Sequence, residues 1–190
     1  MKNIIAVKDK KHFNKLIKDE IKLYGDKCDL NHLDVSNVTD MGSMFYESKF
    51  NGELSKWNVS QVENMACMFH SSEFNGELSK WDVFNVTDMN YMFYKSKFNG
   101  DISQWDVSKV TNMHWMFYCS QFKGDLSDWL PYKLENKEGM FEGCSAPEPY
   151  WYFYDNVSKG INANQLKNKL EEQLNDNQID INKSVKKIKI

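Results

Sequence analysis

The sequence predicts an α/β repeat fold: a solenoid of about five 24-residue strand–helix units with a cap at each end. The first observation is spacing. Trp57, Trp81, Trp105 and Trp129 stand 24 residues apart, and so do Phe50, Phe74, Phe98 and Phe122. Met-Phe pairs recur at 44–45, 68–69, 92–93, 116–117 and 140–141. The second is wording: "FNGELSKWNVSQVENMACMF" (50–69) returns as "FNGELSKWDVFNVTDMNYMF" (74–93). A period of this length means that each unit buries its apolar face against its neighbours, so that successive units share one core. The copies begin near Leu30, with Leu33 in the Trp phase, and fade after Trp129. The chain thus divides into a strand–helix cap (1–27), the repeats (28–144), and an aromatic segment with a helical cap and tail (145–190).

In the first cap, "IIAV" reads as a strand and "DKKHFNKLIKDEIKLYG" as an amphipathic helix. Phe13, Leu16, Ile17 and Ile21 form its apolar stripe, and Gly25 stops it. Within a unit, "LSKWNV" sets Leu54, Trp57 and Val59 in an L-x-x-L-x-L arrangement. That is the leucine-rich-repeat strand pattern, so the expected form is a leucine-rich-repeat-like right-handed solenoid. A strand there points Lys56, Asn58 and Ser60 away from the core. In the following "SQVENMACMF", Val62, Met65, Met68 and Phe69 lie at i, i+3, i+6 and i+7, one stripe of a helix. Ser60 or Gln61 stands where its N-cap belongs, with Glu63 three residues after Ser60. The "NG" pairs at 51–52, 75–76 and 99–100 are read as turns whose Gly takes a positive φ. At the far end, "APEPYWYFYDN" reads as an aromatic segment closing the core and 164–174 as a helix. "NKSVKKIKI" remains a loose tail or an edge strand.

Composition narrows the function. The net charge is −3, but residues 1–27 hold eight Lys against four acids, and residues 157–190 seven Lys against four. The body between them carries nine Lys against nineteen acids. That body argues against direct nucleic-acid binding, and so does the absence of Arg, the usual choice for bidentate phosphate and base contacts. A Lys-rich, Arg-free chain also fits simple genome base bias. No stretch approaches the roughly 20 apolar residues of a membrane span, and "MKNIIAVKDKKHF" is too short in apolar residues for a signal-peptide core. Both features predict a soluble, cytoplasmic chain as written.

Catalytic and metal motifs are not apparent. His12, His32, His70 and His114 fall at unrelated positions, His70 in a phase filled elsewhere by Tyr46, Tyr94 and Tyr118. Cys28, Cys67, Cys119 and Cys144 show no CxxC pairing and are expected as reduced thiols. No phosphate loop or nucleophile elbow is present. The column Asp34, Asn58, Asp82, Asp106 gives one group per 24 residues, too sparse for a calcium ladder, and is expected to hydrogen-bond backbone in the neighbouring coil. A repeat presents like groups in rows, whereas catalysis needs unlike groups at one point. The expectation is a chain that is not an enzyme, with no cofactor and no metal.

The unit "FNGDISQWDVSKVTNMHWMF" (98–117) resembles the repeat of BspA-like leucine-rich-repeat surface proteins, also found in mycoplasma-type lipoproteins and giant-virus proteins. The resemblance covers roughly residues 28–144 and implies non-enzymatic adhesion or protein–protein interaction at a surface. The sequence departs from the pattern at Phe84 for the cap-phase Ser, Lys123 for the turn Asn, and Leu130-Pro131 for Asp-Val. Positions that vary between copies are free to bind, and two such surfaces follow. The predicted strand face carries Lys56, Lys80, Asp82, Phe84, Gln104 and Asp106. The predicted helix face carries Tyr91, Tyr94, His114, Trp115 and Tyr118. Aromatics clustered on a surface mark protein interfaces. The expected partner is another protein at a host–microbe or virus–host boundary. The alternative is an intracellular inhibitor whose acidic body blocks a cationic or nucleic-acid-handling site.

Overall fold

The computed structural model describes residues 3–153; the helix expected at 164–174 and the tail after it lie outside the described residues. Strand β1 (Ile5–Ala6) pairs in parallel with β2 (Leu33–Asp34), Ile5 opposite Leu33. Between them helix α1 (Lys10–Tyr24) covers one end of the core. Its start is fixed by Asp9, whose carboxylate accepts the His12 N–H at 2.7 Å. Its end is fixed by Gly25 at φ 82°, whose N–H donates to the Ile21 carbonyl. Phe13 and Ile17 are fully buried, and the Phe13 ring sits 5.2 Å from that of Trp57.

The repeats differ from the strand–helix unit expected for them. Apart from β2 in the first copy, among the described residues they contain turns and isolated parallel bridges, with no strand over 54–59 and no helix over 60–69. The reason is visible in the hydrogen bonds. Met68 N–H donates to Met65 O and Ser72 N–H to Phe69 O, two tight turns in succession. The third residue of each turn, Cys67 and Ser71, has positive φ (57° and 52°), which breaks any helix. Other copies place Ser43 and Glu47, Tyr91 and Lys95, Trp115 and Cys119 in the same two positions. The last described copy puts Gly139 and Gly143 there, the residue for which left-handed backbone costs least. Ser60 likewise caps no helix; its N–H donates to the Asn58 side chain.

Each turn pair leaves alternate N–H groups facing the next copy. Met65, Cys67, Phe69 and Ser71 donate to the carbonyls of Asp88, Asn90, Met92 and Tyr94, all at 2.7–2.9 Å. The copies starting at Met41, Met89 and Met113 repeat this row. Copies are therefore stacked in parallel at an offset of one repeat, and equal side chains fall into columns. Phe45, Phe69, Phe93, Phe117 and Phe141 stack at 5.5–5.7 Å between centroids. Phe50, Phe74, Phe98 and Phe122 stack at 6.1–6.4 Å.

The Trp column has its own polar ladder. The indole N–H of Trp57, Trp81, Trp105 and Trp129 donates to Leu30, Leu54, Leu78 and Ile102 carbonyls at 2.9–3.2 Å. Trp151, in the short 3-10 turn Tyr150–Phe153, ends the column: it donates to Leu126 O at 2.8 Å and stacks on Trp129. It is 1% exposed, and this is how the aromatic segment closes that part of the core.

The "NG" glycines also act differently from their reading as left-handed turns. Gly52, Gly76 and Gly100 are not among the positive-φ glycines. They are small because the chain packs tightly: a Cβ on Gly52 would lie 2.0 Å from Cys28 O and 2.8 Å from the Phe50 ring. The preceding Asn carries the cross-copy bond. Asn51, Asn75 and Asn99 accept the N–H of Asn75, Asn99 and Lys123 respectively. Lys123 offers no such acceptor, and one repeat later stands Pro147, which has no N–H to donate.

Candidate functional site

On the first face, Lys56, Lys80, Gln104, Asp82 and Asp106 are all exposed and lie in adjacent columns. A shallow groove of about 330 Å³ runs between Ser55, Lys56, Glu77, Ser79 and Lys80. The Asp34, Asn58, Asp82, Asp106 column does not bond to the neighbouring coil as expected. Each side-chain oxygen accepts the N–H two residues ahead in its own turn: Ser36, Ser60, Phe84 and Ser108, at 3.0–3.2 Å. A short side chain after a turn reaches its own backbone before it can span to the next copy. The Ser36 hydroxyl and N–H hold the Asp34 carboxyl below the usual carboxylate range.

Phe84 is 41% exposed, yet one side of its ring is covered. Lys109 Nζ stands 3.8 Å from the ring centroid and donates to Asn85 Oδ1 at 2.8 Å. Asn85 in turn donates to Ser60 O at 2.8 Å. Phe84 therefore presents an aromatic edge held beside a fixed ammonium, a contact worth about 0.5–1 kcal/mol at an exposed site. Lys109 escaped the sequence reading because its partner lies one copy back.

The second face is built otherwise than a helix surface. Tyr91 and Trp115 are left-handed turn residues, and with Tyr94, His114 and Tyr118 they are half-buried among one another. Trp115 stacks on His114 at 5.2 Å and on Tyr118 at 4.9 Å, while Tyr91 meets its edge at 5.6 Å. Through Tyr94 and Tyr118 the cluster continues into a ladder whose other two members, Tyr46 and His70, the predicted site lacked: Tyr46, His70, Tyr94 and Tyr118 stack at 4.5, 4.5 and 5.0 Å. The signal for it was the shared phase of those four residues. Gly139 makes room for this cluster, since a Cβ there would fall 2.3 Å from the Trp115 ring.

His70 sits between two tyrosines, and burial pushes its imidazole below the usual value near 6.5. Its Nδ1 is buried without a hydrogen bond. A folded-state value below the unfolded one means that the unfolded chain binds more protons, so stability is full above about pH 6.5 and falls on acidification. The melting temperature should drop between pH 7.5 and 5.5 by less in His70→Tyr, which restores the residue of the other three copies. An equal drop in both proteins would exclude His70 as the source.

Among the described residues, no three His, Cys, Asp or Glu side chains come together in a way that could hold a metal ion. Cys28, Cys67, Cys119 and Cys144 form no disulfide with one another. No helix among the described residues is long and apolar enough to cross a membrane.

The class defined by these features is a chain of stacked, degenerate 24-residue copies that displays varied side chains on a repeated frame. The chain belongs to the family described as "Mycoplasma protein of unknown function, DUF285", which it matches over residues 10–117 and again over 68–150. No curated protein and no solved structure matches it.

Proposed function

We propose that the chain is a non-enzymatic protein–protein interaction scaffold: a leucine-rich-repeat-like right-handed solenoid of the BspA type, acting at a host–microbe or virus–host boundary. One observation carries this reading. The Trp, Phe and Met columns repeated between copies are buried, while Lys56, Lys80 and Gln104, or Ser43, Cys67, Tyr91 and Trp115, vary at equivalent positions that reach the surface. A frame held constant beneath changing side chains suits recognition of an extended partner.

The test uses substitutions already present in other copies, which keep the frame intact. Phe84→Ser copies Ser36, Ser60 and Ser108, and Trp115→Ser copies Ser43. For a partner captured by cross-linking and then purified, the double variant should bind at least tenfold more weakly while melting as a single folded species. Unchanged affinity in a folded double variant would remove both faces from the proposal.

A second reading is favoured by a separate column. Glu53, Glu77, Asp101 and Asp125 are four exposed carboxylates at equivalent positions of successive copies. Such a row suits an inhibitor that occupies a cationic or nucleic-acid-handling site on a target protein. Added salt discriminates: affinity that falls steeply with ionic strength belongs to the carboxylate row, and affinity nearly independent of it to the aromatic faces.

A further inference from the structure

The first face holds a groove whose backbone donors are unanswered, although other copies answer the same donors from within the chain. In each copy a tight turn follows the column Asp29, Glu53, Glu77, Asp101 and Asp125. Where the column holds Asp, its carboxylate accepts the N–H two residues ahead: Asn31, Ser103 and Ser127, at 2.8–2.9 Å. The Ser103 N–H and hydroxyl hold the Asp101 carboxyl below the usual carboxylate range, and the Ser127 hydroxyl and N–H do the same for Asp125. Glu53 and Glu77 are one methylene longer and do not close this ring. The N–H groups of Ser55 and Ser79 therefore have no partner among the described residues. A third donor joins them. Lys56 N–H is taken by the Asn31 side chain of the copy before, at 2.8 Å. The residue equivalent to Asn31 for Lys80 is Ser55, whose shorter side chain makes no such bond, and Lys80 N–H is likewise unpartnered among the described residues. Ser55, Ser79 and Lys80 line the groove of about 330 Å³ together with Lys56 and Glu77.

We propose that this groove binds an acidic segment of a partner protein, whose carboxylates accept from the N–H groups of Ser55, Ser79 and Lys80. On Ser55 and Ser79 they take the place that Asp29, Asp101 and Asp125 fill in other copies, and on Lys80 the place that Asn31 fills. Lys56 and Lys80 supply positive charge beside these donors, and the two serine hydroxyls can add further hydrogen bonds. A hydrogen bond to an ionised acceptor is roughly twice as strong as a neutral one, which favours a carboxylate over a peptide carbonyl here. Glu77 sets one negative charge against two ammoniums among the lining residues, so the groove keeps a positive balance within an acidic body. Donors on two successive copies call for a segment with more than one acid. The proposal rests on the scaffold reading and names the chemistry of the partner at Lys56 and Lys80.

Amide NMR spectra of the full-length chain test it, with an alternating Glu-Thr decapeptide as the probe and an alternating Lys-Thr decapeptide and inorganic phosphate as controls. The Ser55, Ser79 and Lys80 amides should shift saturably with the Glu-Thr peptide, while those of Ser103 and Ser127, already occupied, stay in place. Glu53→Asp with Glu77→Asp keeps the charge, copies Asp101 and Asp125, and fills two of the N–H groups from within. Affinity should then fall about tenfold or more, the worth of a hydrogen bond to a charged group. Ser55→Asn copies Asn31, gives Lys80 N–H its acceptor, and should weaken binding in the same direction even if the Asp pair disturbs the fold. Affinity unchanged in folded variants overturns the proposal, and so do shifts at Ser103 and Ser127 equal to those at Ser55 and Ser79. Phosphate that matches the peptide at equal concentration overturns it as well, marking an adventitious ion only. Shifts caused by the Lys-Thr peptide instead would assign the groove to its carboxylates and overturn it too. The scaffold reading is judged separately, on the captured partner: a peptide that moves none of these amides, while Phe84→Ser with Trp115→Ser still loses that partner, strikes the groove alone.

Discussion

Trp105→Ala should destabilise the protein by about 3–5 kcal/mol, the usual cost of deleting a buried aromatic, read as a fall in the urea midpoint. Trp105 is 4% exposed, stacks on Trp129 at 6.4 Å, and contacts the Phe93 ring at a similar distance. Its indole N–H is also the partner of Leu78 O, at 3.1 Å. Truncation opens a hole in the column and removes one of that carbonyl's two donors, the Trp81 N–H at 3.0 Å being the other. Trp105→Phe separates the two effects, since a ring still fills most of the space while the N–H is gone. It should cost about 0.5–1.5 kcal/mol, the net worth of one hydrogen bond, because Leu78 O still accepts the Trp81 N–H. A Phe variant as stable as the parent would show that the ladder of indole bonds contributes nothing beyond packing. Because each copy touches mainly its neighbours, loss in the middle should also weaken cooperativity, seen as a smaller m-value.

The core was legible in the sequence because burial follows the repeat. A 24-residue period in Trp, Phe and Met names the residues that stack, whatever backbone carries them, and all of those columns are buried. The cap helix was legible for a similar reason. Asp9, the Phe13, Ile17, Ile21 stripe and Gly25 are local signals, and α1 begins and ends on them. The backbone of the copies was harder to read. Val62, Met65, Met68 and Phe69 satisfy helical spacing, but a run of three-residue-offset turns returns residues i and i+3 to the same side as well. The distinguishing signal was "EGMFEG" at 138–143, where two glycines stand at the two left-handed positions that other copies fill with Trp115 and Cys119.

Of the candidate faces, the sequence supplied the columns and missed the contacts between them. Repeat phase places Lys56 beside Lys80, and Tyr94 beside Tyr118, without any structure. It cannot show that Lys109 covers Phe84 or that Trp115 stacks on three neighbours, since those depend on side-chain direction at a left-handed residue.

Gly52→Ala should be the most damaging of the turn-glycine substitutions, above the roughly 1–3 kcal/mol usual for overpacking a tight site. A Cβ at Gly52 would lie 2.0 Å from Cys28 O. That carbonyl accepts the Glu53 N–H at 3.1 Å, and Glu53 O accepts from Leu30. Moving it aside therefore disturbs both of these bonds between the first copy and the second. At Gly76 and Gly100 the nearest backbone atom stands 3.3 Å away and the tight contact, 2.8–2.9 Å, is with the ring two residues back. Those substitutions should cost less, with Gly124→Ala between, its Cβ 2.4 Å from Phe122 and its three nearest atoms all in that ring. Had positive φ been the reason for glycine, Asn would be the mild replacement and the sites would be equivalent. Crowding predicts the opposite on both counts: Gly52→Asn at least as severe as Gly52→Ala, and a ranking that follows the distances. Urea midpoints for the five variants decide it, and mild, equal losses with Asn better than Ala would return these glycines to the role of left-handed turns.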